Sequence, residues 1–384
     1  MNIPFNKPFL PFISLKAIAQ AGLSGTISGN GKFTKKCHGF FEEKYGFSKV
    51  LLTTSCTDAL EMTGILAGIQ PSDEVILPSF TFMSTANAFL LRGAKLVFAD
   101  TLKDIPNIDP EEIEKLVTPK TRAIAVVHYA GIACDMDRIM EIAKKHDLLV
   151  IEDAAHAIDS YYKDKPLGSI GHFGTFSFHE TKNITCGEGG MISINDPAYI
   201  KRAEIIWEKG TDRAAFYRGE VNKYGWVDVG SSFLPSDALA AFLFTQLEMI
   251  GTIQANRLAS WSSYYQYLKP LEEKGKIRLP LMPDYGTYNA NMFYFFVADG
   301  KTRDEMIAFL KKQGINAVFH YLPLHSSPYF LDKHDGRPLP NTDRFSETIV
   351  RLPLFYKLKK REIRFVVKEV GDFFVTSSPQ TDNQ

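Results

Sequence analysis

Short apolar runs alternate with helical patterns between residues 49 and 195. Runs of four or five residues rich in Val, Ile and Leu predict strands at 50–53, 74–77, 95–99, 123–127 and 148–151. Apolar residues at helical spacing predict helices between them, at 57–69, 86–91, from 109 onward and at 135–146. Strands that alternate with crossover helices predict a mostly parallel sheet covered on both faces. Ligands of such sheets bind beyond the carboxyl ends of the strands.

The C-terminal part has a different pattern. A long apolar helical pattern covers 235–250, and helical spacing continues to about residue 274. After Gly286 a smaller α+β unit is predicted, with strands at 293–297 and 317–320 and helices at 303–312 and 360–374. We expect a large α/β domain with an N-terminal arm over 1–250, a linking helix and small domain over 251–375, and a frayed polar tail over 376–384.

The composition narrows the class of protein. The 384 residues include 44 Lys and Arg and 44 Asp and Glu, and the resulting zero net charge argues against a nucleic-acid binder or a polybasic membrane patch. No apolar stretch approaches the roughly 18 residues of a membrane helix, and the start at Met1 lacks the apolar run of a signal peptide. The four cysteines form no Cys-x-x-Cys pair. We therefore expect a cytoplasmic protein without nucleic-acid or membrane partners.

Several familiar motifs are absent. The glycines at 168–174 have the wrong spacing for a dinucleotide fingerprint, and the turn at 29–31 lacks the remaining residues of a phosphate loop. His179-Glu180 is not followed by a second histidine at the zinc-protease spacing, and no Gly-x-Ser-x-Gly elbow occurs. NTP hydrolysis, zinc proteolysis and serine hydrolysis are therefore disfavoured, and no metal site is expected.

Three segments carry candidate chemistry, each with an ordinary structural alternative. The segment 54–60 places small hydroxyl residues at a helix start, where free N–H groups bind phosphate, although simple N-capping would account for it alone. Asp153 follows an apolar strand and faces the expected ligand crevice, or it caps a helix. His156 alone is more often a structural histidine. Lys182, before a glycine-rich turn, is either a surface lysine or a Schiff-base nucleophile.

Together the three segments match what a pyridoxal 5′-phosphate (PLP) enzyme needs. A helix start anchors the phosphate, an aspartate pairs with the pyridine nitrogen and keeps it protonated, and a lysine binds the cofactor carbon and moves protons. The order of these features along the chain is consistent with that chemistry. The sequence therefore predicts PLP as cofactor.

The chain resembles the nucleotide-sugar aminotransferases of the DegT/StrS family over nearly its whole length. Within that family, the Phe-His-Glu-Thr-Lys-Asn stretch is similar to the branch that makes dTDP-4-amino-4,6-dideoxygalactose. The resemblance implies PLP-dependent transferase fold type I: an α/β large domain with a mostly parallel mixed seven-stranded sheet between helices, and a smaller C-terminal α+β domain. The segments that carry it are 49–57, 84–89, 91–95, 127–131, 176–183, 210–211, 319–325 and 351–356.

The resemblance also implies roles for individual residues. Lys182 is expected to bind the cofactor as a Schiff base and to act as acid–base catalyst, Asp153 to pair with the pyridine nitrogen, and His156 to bond the ring hydroxyl. The remaining cofactor contacts are implied for the ring-stacking Phe82, the phosphate-binding Ser55, Cys56, Thr57, Asp58 and Ser177, and Ser232, which stands where relatives commonly have an asparagine that reaches the phosphate from the partner subunit.

The implied reaction moves the amino group of L-glutamate to C4 of dTDP-4-dehydro-6-deoxy-D-glucose. The expected product is the D-galacto amino sugar, for enterobacterial common antigen or O-antigen, and the gluco epimer is the nearest alternative. The implied assembly is a homodimer with active sites at the interface. Candidates for the sugar nucleotide or the donor carboxylate, with a solvated surface as the alternative for each, are Lys209, Arg213, Tyr321 and His325. A sugar dehydratase and a non-catalytic PLP binder remain the other classes.

Overall fold

The computed structural model describes residues 1–25 and 27–376. The predicted polar tail, 376–384, therefore lies outside the described residues except for Thr376, which ends the last helix. The strands are β1 (Lys49–Thr53), β2 (Glu74–Pro78), β3 (Lys95–Ala99), β4 (Thr121–Val127), β5 (Leu149–Asp153), β6 (Tyr161–Tyr162), β7 (Lys165–Pro166), β8 (Phe173–Ser177), β9 (Gly190–Ile194), β10 (Phe293–Phe296) and β11 (Ile349–Leu352).

Helices occupy much of the remaining described chain. They are α1 (Phe12–Leu23), α2 (Lys32–Tyr45), α3 (Cys56–Leu66), α4 (Met83–Leu90), α5 (Pro110–Leu116), α6 (Met136–His146), α7 (Ile200–Trp207), α8 (Arg213–Tyr217), α9 (Asp237–Glu248), α10 (Ile250–Glu273), α11 (Gly300–Lys312), α12 (Pro340–Thr348) and α13 (Lys360–Thr376).

Seven strands form one sheet in the order β1-β9-β8-β5-β4-β2-β3. Strand β9 is antiparallel to both of its neighbours, whereas the pairs from β8 across to β3 are parallel. This arrangement confirms the prediction of a mostly parallel, mixed seven-stranded sheet. The carboxyl ends of β8, β5, β4 and β2 meet at one edge, which is where ligands bind in sheets of this kind.

Helices cover both faces of this sheet because successive strand side chains point to opposite sides. In β1, Val50 and Leu52 pack in one core cluster with α2, α6 and α9, while Leu51 packs in the other with α3, α4 and α7. Both sets of strand residues are buried, which accounts for the continuous rather than alternating apolar runs.

The smaller unit is built on the antiparallel pair β10–β11, with α11 and α13 packed against it. The prediction of a strand at 317–320 is wrong. Val318 forms only a single bridge with Arg351, and the next carbonyl, that of Phe319, accepts hydrogen bonds from the Arg351 side chain at 3.1 and 3.0 Å instead of from a strand. The domain boundary expected at residue 250 stays a prediction; the chain bends by 62° between α9 and α10, at Met249.

Within residues 1–25 and 27–376, no single helix is both long and apolar enough to cross a membrane. The consecutive helices α9 and α10 meet the length and composition criteria only when taken together, across their 62° bend.

Candidate active site

The start of helix α3 lies at the carboxyl end of β1. Ser55 is the N-cap residue, and its Oγ accepts a hydrogen bond from the Asp58 N–H at 3.1 Å. The neighbouring strand β9 comes so close that a Cβ on Gly190 would lie 2.3 Å from the carbonyl carbon of Ser55 and 2.4 Å from the nitrogen of Cys56. Glycine at 190 therefore lets the sheet support the helix start, whose first N–H groups lack intrahelical acceptors and attract anions.

Asp153 is the last residue of β5, not the residue after the strand, and it is buried. Its Oδ2 accepts a hydrogen bond from the Thr85 hydroxyl at 2.7 Å, and its Oδ1 accepts one from the Ala155 N–H at 3.1 Å. Burial raises the pKa of the carboxyl, while the Thr85 and Ala155 hydrogen bonds and the charge of Lys182 act against that rise. Both oxygens are thus held in place, and a cationic ring nitrogen would relieve the cost of burying the charge.

Lys182 lies in the turn that follows β8 and is partly buried. Its backbone N–H donates to the His179 carbonyl at 2.9 Å. Burial and the positive charge of Arg351 lower the pKa of its amine to about 8, whereas the carboxylate of Asp153 acts in the opposite direction. With a pKa of about 8, about a tenth of this amine is unprotonated at pH 7 and can act as a nucleophile or base.

His156 lies in the turn after β5 and is buried. Its Nδ1 accepts a hydrogen bond from the Ala130 N–H at 3.3 Å. Burial and the charges of Lys182 and Arg351 hold its pKa well below the ordinary value, so the ring is neutral and carries its hydrogen on Nε2. That nitrogen lies 3.4 Å from the Tyr321 hydroxyl, and the two rings are nearly parallel at 6°. His156 is thus oriented to donate a hydrogen bond from Nε2.

Other predicted cofactor contacts lie around this edge of the sheet. Phe82 precedes α4, half of its surface is exposed, and its ring centroid is 6.3 Å from that of Tyr321. Ser177 ends β8, and its hydroxyl accepts from the His179 N–H at 3.4 Å. Asp58 is occupied by a hydrogen bond from the Thr54 hydroxyl. Cys56 and Thr57 form the first turn of α3, and burial raises the pKa of the Cys56 thiol, which keeps it protonated.

The remaining predicted residues are placed differently. His325 is buried, with Nδ1 2.8 Å from the Ser79 hydroxyl and Nε2 3.4 Å from the Asp343 carboxylate. Within this chain its ring therefore links Ser79 to Asp343. The other three, Lys209, Arg213 and Ser232, are exposed on the segment 208–232. Ser232 forms a bridge with Glu208 and makes no hydrogen bond or ion pair with Lys182 among those of the described residues.

The structure adds residues that the sequence reasoning missed. Thr85 bonds Asp153, the Tyr129 hydroxyl lies 2.6 Å from His320 Nδ1, and His320 stacks on Tyr321 with centroids 3.6 Å apart. Burial lowers the pKa of His156, Lys182 and His320, and the charge of Arg351 acts in the same direction on all three. The sequence did contain a signal for these residues. All four lie in segments that carry the family resemblance: Thr85, Tyr129, His320 and Arg351.

These residues fit PLP by the chemistry of their donors. A helix start and a serine hydroxyl suit a phosphate, a buried carboxylate suits a protonated pyridine nitrogen, and a neutral Nε2–H suits a ring hydroxyl. The lysine amine with its lowered pKa suits a carbonyl carbon. The arrangement defines the chain as a PLP enzyme with an α/β sheet.

Comparisons with known proteins agree with this class. The profile of the DegT/DnrJ/EryC1/StrS aminotransferase family matches residues 14–371. The chain belongs to this family. It is 32% identical over 383 residues to the spore coat polysaccharide biosynthesis protein SpsC of Bacillus subtilis, with 96% of each chain covered.

Solved structures are similar over nearly the whole chain. The aminotransferase TlmJ of Streptoalloteichus hindustanus is 27% identical with a TM-score of 0.89, covering 98% of this chain and 100% of TlmJ. Spr1654 of Streptococcus pneumoniae, 26% identical, has been solved in PLP and PMP forms, with TM-scores of 0.89 and 0.90 and coverage of 98% of this chain and 99% and 100% of those chains. The protein is therefore a PLP-dependent sugar aminotransferase of fold type I, which confirms the predicted fold, family and cofactor.

Proposed function

We propose that this protein transfers the amino group of L-glutamate to C4 of dTDP-4-dehydro-6-deoxy-D-glucose and releases dTDP-4-amino-4,6-dideoxy-D-galactose for a surface polysaccharide. The observation that carries the amino-transfer chemistry is the meeting of Lys182, Asp153 and His156 at the carboxyl edge of the sheet, beside the start of α3. The choice of sugar rests on the resemblance of the Phe-His-Glu-Thr-Lys-Asn stretch at 178–183 to one branch of the family.

Each residue has a distinct task in this proposal. When bound, PLP supplies an electron sink for the substrate carbon. Asp153 holds the proton on the ring nitrogen, and the Thr85 hydroxyl fixes the carboxylate that does so. His156 donates from Nε2 to the ring hydroxyl, and the first turn of α3 with Ser177 holds the phosphate. Phe82 packs its half-exposed ring on the cofactor ring.

Lys182 moves the protons. Because its pKa is lowered to about 8, the free amine is available to take the α-proton of glutamate, and the protonated form of Lys182 can later deliver a proton to C4 of the sugar. The face of C4 that receives this proton decides the product: one face gives the galacto configuration that we propose, and the other gives the gluco epimer.

The substrates need anionic and polar contacts outside this centre. Tyr321 lies against His156 and faces the same space, which supports a contact with the sugar nucleotide or donor carboxylate. The exposed Lys209 and Arg213 side chains offer charge from the segment 208–232, and His325 is the weakest candidate because both ring nitrogens face other residues. We further propose a cytoplasmic homodimer in which Ser232 reaches the phosphate of the partner's cofactor.

Two other functions make different demands on the site. A sugar dehydratase of this fold replaces the lysine with histidine, whereas Lys182 is present here. A non-catalytic PLP binder has no need for an amine whose pKa is lowered to about 8. A 3-deoxy sugar product would favour the first alternative, and binding of PLP without turnover would favour the second.

The proposal is tested by incubating the enzyme with dTDP-4-dehydro-6-deoxyglucose and glutamate and recording the NMR spectrum of the sugar. We expect an amino sugar with the small H3–H4 coupling of an axial nitrogen at C4. A large coupling would identify the gluco epimer. The Lys182→Ala variant is the control, and we expect its rate to fall by about 10³-fold or more because both proton transfers lose the group that carries the proton.

A further inference from the structure

A cluster of buried amide side chains lies directly beneath the proposed catalytic residues. Asn183, which follows Lys182, donates from Nδ2 to the Gln254 side chain at 2.8 Å and to the Asn289 carbonyl at 2.7 Å. Its Oδ1 accepts from the Asn291 amide at 2.9 Å. Asn183, Asn289, Asn291 and Gln254 are all buried. We call these four side chains the amide cluster.

Asn289 joins the cluster to His156. Its Nδ2 donates to the His156 carbonyl at 2.7 Å and to the Ile158 carbonyl at 2.6 Å, and its Oδ1 accepts from the Asn291 N–H at 3.0 Å. The Asn289 side chain fits because residue 131 is glycine: a Cβ there would lie 2.3 Å from Asn289 Oδ1. Gly131 also has φ of +80°, a conformation that favours glycine.

The cluster also connects different parts of the fold. Gln254 lies on α10, while Asn289 and Asn291 immediately precede β10 of the smaller unit. One helical turn after Gln254, Arg257 donates to the carbonyls of Ala290 at 3.1 Å and Asn291 at 2.7 Å, which fixes this stretch against α10. The turns that carry Lys182 and His156 thus share one support.

Two features argue that this support does more than stabilise the fold. Asn183 and Asn289 each use both amide hydrogens and the oxygen, so their orientation is fixed in three directions. Asn183 is also the residue next to Lys182, and Asn289 donates a hydrogen bond to the carbonyl of His156 itself. The positions of both the lysine and the histidine matter for the proposed chemistry. Buried, fully bonded polar groups specify one arrangement, and small displacements of catalytic groups cost rate steeply.

We propose that Asn183 and Asn289 are positioning residues: Asn183 fixes the turn that presents Lys182, and Asn289 fixes the main chain that presents His156. The inference rests on the proposed roles of Lys182 and His156. It assigns the amide cluster the task of holding the amine and the imidazole at a constant separation while substrates bind and leave.

The test compares Asn183→Ala and Asn289→Ala with a matched control, Asn195→Ala. Asn195 makes the same kind of bond, since its Nδ2 bridges the carbonyls of Gly168 and Gly171 at 2.9 and 2.8 Å, but it lies at the opposite end of β8 from Lys182. Two readouts need no sugar substrate: the pH midpoint of Lys182 labelling by an amine reagent in the cofactor-free protein, and the pH midpoint of the visible absorbance of the PLP-bound enzyme.

We expect Asn183→Ala to raise the labelling midpoint of Lys182 by at least about half a pH unit, because a looser turn exposes the amine to water. Asn289→Ala should move the absorbance midpoint by a similar amount, and kcat should fall about tenfold to a hundredfold in both variants. Asn195→Ala should leave both midpoints unchanged, whatever it does to thermal stability.

The proposal is overturned if both pH midpoints stay at the wild-type values in Asn183→Ala and Asn289→Ala, even when the melting temperatures of these variants are lower. If either variant fails to fold, Asn291→Ala removes only the side-chain bond to Asn183 Oδ1, and a smaller shift in the same direction is required. Because the midpoints are read without substrate, they remain informative even if the proposed sugar is not turned over.

Discussion

At the scale of single residues, the surroundings of Lys182 set the pKa of its amine and so its reactivity. An exposed lysine has a pKa near 10.4, so almost all of it is protonated at neutral pH. Here burial and Arg351 lower the pKa to about 8. The neighbouring carboxylate of Asp153 opposes that shift because it stabilises the protonated amine. The pKa of Lys182 is therefore the net result of burial and Arg351, which lower it, and Asp153, which raises it.

The labelling of Lys182 in the cofactor-free protein should therefore rise with pH around a midpoint of about 8, because only the free amine reacts. Asp153→Asn removes a negative charge that favours the protonated amine, so the midpoint should move below that of the wild type. Mass spectrometry of the Lys182 peptide measures both. A midpoint near 10 in the wild type would contradict the burial that we describe.

Sequence reasoning singled out candidate residues with distinctive chemistry at distinctive places. Lys182 before a glycine-rich turn and Asp153 at a strand end were predicted because their types and positions both carried information. Thr85 and His325 show the limit, since the Thr85 contact with Asp153 joins positions 68 residues apart and His325 meets Ser79 from 246 residues away. Such pairings are set by tertiary packing, which no local pattern contains.

At the scale of elements, the structure shows where local patterns decide and where they do not. Strands β1 to β5 were predicted because short, continuously apolar runs between helices are typical of strands that are buried on both faces of a sheet, whereas β8 and β9 of the same sheet were not predicted. Helices α1 and α2 were missed; α2 carries a glycine at position 39 and a mixed apolar pattern. Its start is instead fixed by Asp237 of α9, which accepts hydrogen bonds from the Phe33 and Thr34 N–H groups at 3.1 and 2.8 Å.

Asp237→Ala should consequently lower the free energy of unfolding by about 2–3 kcal/mol, because it leaves buried donors of α2 without acceptors. The control is Asp299→Ala, which removes the exposed N-cap of α11, whose carboxylate accepts a hydrogen bond from the Thr302 N–H at 2.8 Å, and should cost about 1 kcal/mol. Urea unfolding of the two variants measures the difference. Equal losses would mean that Asp237 acts only as an ordinary cap.

At the scale of the whole molecule, 44 basic and 44 acidic residues leave no net attraction for anions. A phosphate-bearing cofactor, and the anionic donor that we propose, then require positive potential that is local. The start of α3, Lys182 and Arg351 supply it at one edge of the sheet. The neutral balance is thus compatible with anion chemistry because the positive groups are concentrated at the site.

The proposed homodimer makes a prediction at this scale. Large apolar side chains on the first helix are exposed in the single chain, including Phe12 at 83% and Leu23 at 88%, which is costly in water unless a second copy covers them. Light scattering should give twice the 43.2 kDa of one chain. A stable mass of one chain with full activity would exclude a site completed by the partner.

The central claim is that Lys182 is the residue to which PLP is attached. Reduction of the purified, PLP-loaded enzyme with borohydride, followed by digestion and mass spectrometry, tests it most directly because reduction makes the attachment permanent. We predict loss of the visible absorbance and a pyridoxyl group on the peptide that contains Lys182, with no such group in Lys182→Ala. A protein unchanged by borohydride, or a pyridoxyl group on a different lysine, would contradict the account.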